Sequence, residues 1–150
     1  MENRINKFKH KGRVFIWKFS PDNKNYPGWN FTSDLEGCYS LIELLELMQA
    51  SPFPSKKLIP TNPVTLSQVK AVTGSKSYKS ARLLALDYRK GQPEFWQTDQ
   101  DPEKLKISFG DRELEFLQTA LQRIIKGEGD FAIGNSNDEY QVYFWWFMDK

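Results

Sequence analysis

The sequence predicts a two-layer α+β fold: a mostly antiparallel β-sheet with two main helices packed on one face. Three observations carry this. Aromatic residues make up 15% of the chain and apolar residues 39%, and alanines are few, which favours strands over a helical bundle. Several short runs alternate at period two between Gly, Pro, Asn and Asp clusters, and strands joined by tight turns must pair antiparallel. Two longer stretches repeat leucines at helical spacing. At 150 residues the chain reads as one domain, residues 1–150.

In chain order, Lys7, Lys9 and Lys11 alternate with Phe8 and His10, as in a strand. After Gly12, Phe15, Trp17 and Phe19 share one face and Val14 and Ile16 the other. A strand apolar on both faces belongs in the middle of a sheet. Ser20-Pro21-Asp22-Asn23 reads as a turn, and Asn25 to Phe31 as a loop carrying Tyr26, Trp29 and Phe31. Ser33-x-x-Glu36 is a capping-box pattern that opens a helix running to about Ala50. Leu41, Leu44, Leu45 and Met48 form its core stripe, Ile42 its margin, and Glu43 and Glu46 its wet side. Ser51-Pro52-Phe53-Pro54 ends it.

Lys57-Leu58-Ile59 is a short strand, and Thr65-x-x-Gln68 opens a short helix that Gly74 could close. Gly74 to Ser80 reads as a basic loop. Ala81 to Tyr88 reads as a strand whose hairpin mate is Pro93 to Gln97, with Arg89 to Gln92 as the turn. Leu105 to Phe109 alternates as a half-buried strand, and Gly110-Asp111 caps the next helix. Leu114, Leu117, Leu121, Ile124 and Ile125 form that helix's stripe, supported by Phe116 and Ala120, and Gly127 ends it. Asp130 to Gly134 and Tyr140 to Phe147 make a final hairpin around Asn135 to Asp138. Tyr140, Val142, Phe144, Trp146 and Met148 fall on one face of its last strand, and Tyr143, Trp145 and Phe147 on the other. The expected order is β-α-β-α-β-β-β-α-β-β.

The net charge of +2 is unevenly spread. Residues 1–90 hold 15 Lys and Arg against 7 Asp and Glu, and residues 91–150 hold 6 against 12. A bipolar surface suits an oriented protein partner better than uniform contact with nucleic acid. No apolar run reaches the roughly 20 residues of a membrane span. The basic N-terminus lacks the apolar segment of a secretory signal. The single cysteine excludes an internal disulfide and fits a reducing compartment. A cytoplasmic protein is expected.

Catalytic chemistry has few candidates. His10 lies among lysines, whose charge would lower its pKa, with no nucleophile or orienting carboxylate beside it in sequence. Cys38 lies one turn into the first helix, where the helix dipole could lower a thiol pKa. Glu128 and Asp130 could act as an acid pair. One His and one Cys cannot fill the four positions of a zinc site. Asp99-Gln100-Asp101-Pro102-Glu103 alternates acids, but its proline and missing central glycine do not fit a calcium loop. The glycines of Gly127-Glu128-Gly129-Asp130 follow a helix rather than open one, and the acids would repel phosphate. No metal or cofactor is expected. A second reading is single-stranded nucleic-acid binding, with Lys7, Lys9, Lys11 and Arg13 supplying charge and Tyr26, Trp29 and Phe31 supplying rings for stacking.

From Asp111 onward, a leucine-rich helix leads through Gly127-Glu128-Gly129-Asp130-Phe131-Ala132-Ile133-Gly134 and a turn into Tyr143-Phe144-Trp145-Trp146. This resembles the C-terminal end of small bacterial toxin-immunity proteins, where a G-x-G-D-[FY] turn feeds a hairpin ending in a Phe-Trp-Trp strand. The resemblance implies a protein that binds and blocks a cognate toxin, without catalysis or cofactor. Immunity proteins against nucleases are often strongly acidic, whereas this chain is slightly basic. That departure favours another kind of toxin, or contact through the acidic part alone. The expected partner contacts are Trp29, Trp96, Tyr143 and Trp145, with Glu128 and Asp130 as the acidic contribution.

Overall fold

The computed structural model describes residues 2–19, 28–73, 78–99, 101, 103–129, 131–134 and 141–147. The fold is α+β with mostly antiparallel pairing, as the sequence predicts. Its strands divide into two sheets rather than one. The first part of the chain forms α1 (Glu2–Lys7), β1 (Val14–Phe19), β2 (Trp29–Ser33), α2 (Leu35–Ala50) and β3 (Ser55–Pro60). The middle forms α3 (Leu66–Thr73), β4 (Tyr78–Ser80), β5 (Leu83–Tyr88), β6 (Trp96–Thr98) and β7 (Lys104–Phe109). The last part forms α4 (Asp111–Ile125), β8 (Phe131–Ile133) and β9 (Val142–Phe144). One sheet has the order β4-β1-β2-β9-β8 and the other β3-β5-β7-β6.

The sheets meet where one pair of strands splays. Thr61 N–H donates to Arg82 O at 3.1 Å, extending the β3–β5 ladder by one rung. Beyond it, Asn62 N–H donates to Val14 O and Ala81 N–H to Ile16 O, both at 2.8 Å, so each chain passes to β1 instead. Buried backbone groups must be paired somewhere, and β1 takes over the pairing that β3 and β5 lose to each other.

The alternation of β1 sorts its side chains between two cores. Val14 and Ile16 join the main core with Trp29, Phe31, Leu84 and Ile107 and with the stripes of α2 and α4. Phe15, Trp17 and Phe19 join a second cluster with Val64, Val69 and Trp145. Burying one such side chain stabilises by about 1.5–3 kcal/mol relative to leaving it in water. Most of the expected stripes are buried: Leu41, Leu44, Leu45 and Met48 on α2, and Leu114, Leu117, Leu121 and Ile124 on α4, with Ile125 half-buried. Phe116, expected to support the second stripe, is 39% exposed.

Several elements differ from expectation. Residues up to Lys7 form helix α1, whose Ile5 is buried, and residues 8–13 are not a strand. Trp29 and Phe31 lie in β2, paired antiparallel with β1, rather than in a loop. Tyr78–Ser80, assigned to a loop, is a strand on the outer edge of β1. The N-cap of α2 is Asp34, not Ser33: its carboxylate accepts from Gly37 N–H at 2.8 Å. At α3 the expected cap holds, with Thr65 Oγ1 accepting from Gln68 N–H at 3.2 Å. The strand after Gln92 does not pair back on β5. Strand β7 runs parallel beside β5, and β6 pairs antiparallel with β7. The expected turns at 20–23 and 135–138, and the expected stop at Gly74, lie outside the described residues.

The aromatic end of the chain is an interior strand over its first part. β9 lies between β2, to which it is parallel, and β8, to which it is antiparallel. Trp145 then locks the end in place. Its N–H donates to Phe31 O at 2.9 Å. Its indole Nε1–H donates to Asn30 Oδ1 at 2.9 Å, and its carbonyl accepts from Thr32 Oγ1 at 2.8 Å. Asn30 and Thr32 are both fully buried, so each partner satisfies a group that would otherwise be orphaned. Replacing Thr32 by Val keeps the volume and leaves the Trp145 carbonyl without its hydroxyl donor. The expected cost is about 1–3 kcal/mol in urea unfolding, and an unchanged midpoint would mean the lock contributes nothing.

Candidate functional site

A cleft of about 480 Å³ opens between the start of α2, the end of α4 and the segment at Trp146 and Phe147. Its walls include Arg13, Asp34, Leu35, Ile125, Trp146 and Phe147. Each wall has a local cause. Asp34 caps α2, which places Leu35 and Glu36 in the first turn at the rim. Gly127 ends α4 at φ 78°, a left-handed conformation that glycine adopts without a Cβ clash. A Cβ on Gly129 would lie 2.6 Å from the Trp146 ring, so only glycine lets that indole pack there. Gln68 of α3 donates to Trp146 O at 3.0 Å and holds the last segment from the other side.

Arg13 is the organised charge of the cleft. Its backbone N–H donates to Asp34 Oδ1 at 3.0 Å and its Nε–H to Asp34 Oδ2 at 3.1 Å. Its guanidinium carbon sits 5.7 Å from the ring centres of both Phe15 and Phe147, within cation–π reach. Those rings stack at 5.5 Å. Burial opposes ionisation of Asp34, but the N–H groups of Arg13 and Gly37 and the Arg13 guanidinium outweigh it and hold the carboxyl below its ordinary value. Ser33, also in the cleft lining, donates its Oγ–H toward the carbonyls of Arg13 and Asp34, both at 3.0 Å, so its hydroxyl proton is engaged by backbone.

The apolar rim is unusual for a surface. Leu35 is 58% and Tyr39 59% exposed, one helical turn apart on α2. Trp146, Phe147 and Ile125, which line the cleft with Leu35, are half-buried. Contiguous exposed apolar groups rimmed by charge mark binding surfaces. Another cavity, about 20 Å³ between the sheets and α2 and α4, has only apolar lining, including Phe31, Leu45 and Ile107. It is a packing void of the core.

The expected contacts fare unevenly. Trp29 is 0% and Trp145 4% exposed, so both are corrected from contacts to core residues. Trp96 and Tyr143 are half-buried, packed on the main and the aromatic cluster respectively. Glu128 is exposed and paired with Arg123 at 3.7 Å. Asp130 and Tyr26 lie outside the described residues. Lys7, Lys9, Lys11 and Arg13 are exposed, but burial of Trp29 and Phe31 removes the stacking rings expected beside them. Trp146, expected on the face of Val142 and Phe144, faces Gly129 instead, because strand geometry ends at Phe144.

Cys38 is fully buried, and burial pushes its thiol up to about 11, opposite to the expected dipole effect. His10 is half-buried. Its pKa is lowered as expected, but by burial, while Asp34 and Glu36 pull the other way. Among the described residues no three His, Cys, Asp or Glu come together as a metal site. No described helix is long and apolar enough to cross a membrane. The chain matches no protein-family model, no curated protein and no solved structure.

The sequence carried one partial signal, Leu35, a large apolar residue off the Leu41–Met48 stripe of the same helix. Two outcomes follow. Gly129→Ala should displace Trp146, seen as a shift in tryptophan emission with the far-UV spectrum retained; an unchanged emission would refute the close packing. For His10, the unfolded chain takes up a proton near 6.5 and the folded one only at lower pH. The unfolded state therefore holds more protons in that window, and stability falls as pH drops below about 6.5. His10→Gln should flatten this slope in urea midpoints compared between about pH 7.5 and 5.5. An equal slope in both proteins would remove His10 as its source.

Proposed function

We propose that the chain is a non-catalytic protein-binding module of the cytoplasm, acting as an immunity factor that neutralises a cognate toxin, and that the partner seats on the cleft. The single observation that carries the binding role is the exposed Leu35 sharing a cleft with Arg13, whose guanidinium lies against the stacked rings of Phe15 and Phe147. Interfaces concentrate their energy in aromatic and arginine anchors held rigid within an apolar patch. Arg13 is such an anchor, because its rotamer is already fixed by Asp34 and two rings. The toxin setting rests on the helix–Gly127-x-Gly129 to Trp145-Trp146 resemblance. A non-catalytic role is supported by the buried, raised thiol of Cys38 and by the exposed ion pair that engages Glu128.

Cells expressing the toxin-like product of a neighbouring gene should be rescued by the wild-type protein. Leu35→Asp should lose that rescue and weaken binding by about 2 kcal/mol or more, the size expected of a central anchor, while the far-UV spectrum stays native. Full rescue by Leu35→Asp would move the interface elsewhere. No rescue by the wild type from any neighbouring product would sink the toxin reading.

A further inference from the structure

Residues 8–13 cross from α1 to β1 as a strap laid over the first two turns of α2. Phe8 anchors one end: it packs on the main core and its N–H donates to Ile5 O at 3.1 Å. Arg13 anchors the other, its N–H donating to Asp34 Oδ1 at 3.0 Å and its carbonyl accepting from Asp34 N–H at 3.1 Å. Gly12, at φ 85°, lies so close to α2 that a Cβ there would collide with the backbone of Glu36 and Gly37. Among the described residues, one further hydrogen bond holds the span between the anchors, Lys11 N–H to Ser40 Oγ at 3.0 Å. A connection held by so few bonds opens more readily than a sheet. His10, the only histidine of the chain, lies in this span. Both its ring nitrogens are closed off from water and meet no hydrogen-bond partner among the described residues.

We propose that His10 is a proton latch on the cleft: proton uptake expels the ring to water, lifts residues 9–12 off α2 and frees Arg13 from its fixed position on Asp34. In its closed place the neutral ring leaves one donor and one acceptor unpaired, whereas the imidazolium would leave two donors and a full charge. Asp34 and Glu36, at the start of α2, pull toward the charged form, but burial outweighs them and keeps the ring neutral to lower pH. Asp34 spends its oxygens on Arg13 and Gly37 and, held below its ordinary carboxyl value, stays ionised while His10 titrates. On the same segment Lys9 and Lys11 flank the ring, and Lys7 ends α1 before it; a further positive charge among them is unwelcome. The open strap takes up a proton near 6.5 and the closed one only at lower pH. The open state therefore gains as pH falls through that window, by at most about tenfold per pH unit for one proton. That acid also loosens a bound partner rests on the cleft as the binding site, because a freed Arg13 must be ordered again before it can anchor.

The test is amide hydrogen exchange of the full chain between about pH 7.5 and 5.5, with rates corrected for the pH dependence of unstructured amides. The probes are the amides of Lys11 and Arg13 on the strap and, for comparison, those of Ala81 and Trp145, which donate to Ile16 O and Phe31 O within the sheets. The strap amides should exchange faster than the sheet amides at every pH, the mark of opening without global unfolding. Their protection should fall several-fold across the range. In His10→Gln and in His10→Leu, each of which removes the titrating ring, that fall should vanish. Equal exchange at the two sets of amides overturns the proposal, because His10 would then leave its place only when the whole chain unfolds. Strap protection that is independent of pH in the wild type, or that falls equally in both variants, overturns it as well. The measurement contains no partner, so the latch and the cleft stand or fall separately. A pH-dependent strap with full rescue by Leu35→Asp keeps the latch and removes the cleft as partner site. A pH-independent strap with lost rescue removes the latch and keeps the cleft.

Discussion

The parallel pairing of the last strand with β2, locked by Trp145, is the constraint on which the rest depends. β2 is buried along its whole length, and two of its three polar residues, Asn30 and Thr32, depend on the last strand. Without the chain terminus beside them, both would lose partners in the core, at about 1–3 kcal/mol each. With it, the Asn30 carbonyl meets the Trp145 indole and the Thr32 hydroxyl meets the Trp145 carbonyl. Asn30 also donates to Trp17 O at 3.4 Å, so the lock reaches across β2 to β1. The same pairing sets Val142 and Phe144 into the main core and delivers Trp146 and Phe147 to the cleft. Polar satisfaction inside the sheet and the shape of the surface are one arrangement.

That coupling gives physical content to the glycine–tryptophan pattern. Gly127 reverses the chain at the end of α4, and Gly129 leaves room for Trp146. The two glycines and the tryptophan are distant in sequence and adjacent in space. Trp145 faces inward and makes the lock, while Trp146 turns outward; their rings meet edge to face at 6.0 Å. A paired tryptophan thus does two different jobs, and the first makes the second possible. The pattern specifies how a wall of the cleft is built, and the exposed residues on α2 supply what a partner would touch.

The long periodic elements were legible because their signal is local. The stripes of α2 and α4 and the two-faced apolar strand β1 depend on residues a few positions apart. What was not legible depended on pairing between distant segments. Trp29 and Phe31 sit in a stretch whose Pro27-Gly28 reads as a loop, and only the pairing with β1 and β9 makes it a strand. The expectation that Arg89 to Gln92 closes a hairpin failed because β7 takes the place beside β5. α1 was missed because a short helix gains its stability from burying Ile5, not from its own sequence. The N-cap was misplaced by one position because Ser33 and Asp34 are both good caps, and Arg13, twenty residues earlier, decides between them. The cleft combines segments around Arg13, Leu35, Ile125 and Trp146, so no local window could reveal it.

The charge asymmetry between the halves of the chain also takes on a location. Part of the basic excess stands exposed between residues 7 and 13, and part of the acidic excess of the C-terminal half is spent internally, as in Arg123–Glu128 and Arg112–Glu94. Rim charges and apolar anchors act on different stages of association. Long-range attraction raises the rate of encounter and orients the approach, while desolvated anchors slow departure. Arg13, held by Asp34 and lying against the stacked rings of Phe15 and Phe147, has the form of a preordered anchor. Arg13 has given up side-chain freedom on folding, so less ordering entropy would remain to be lost on binding.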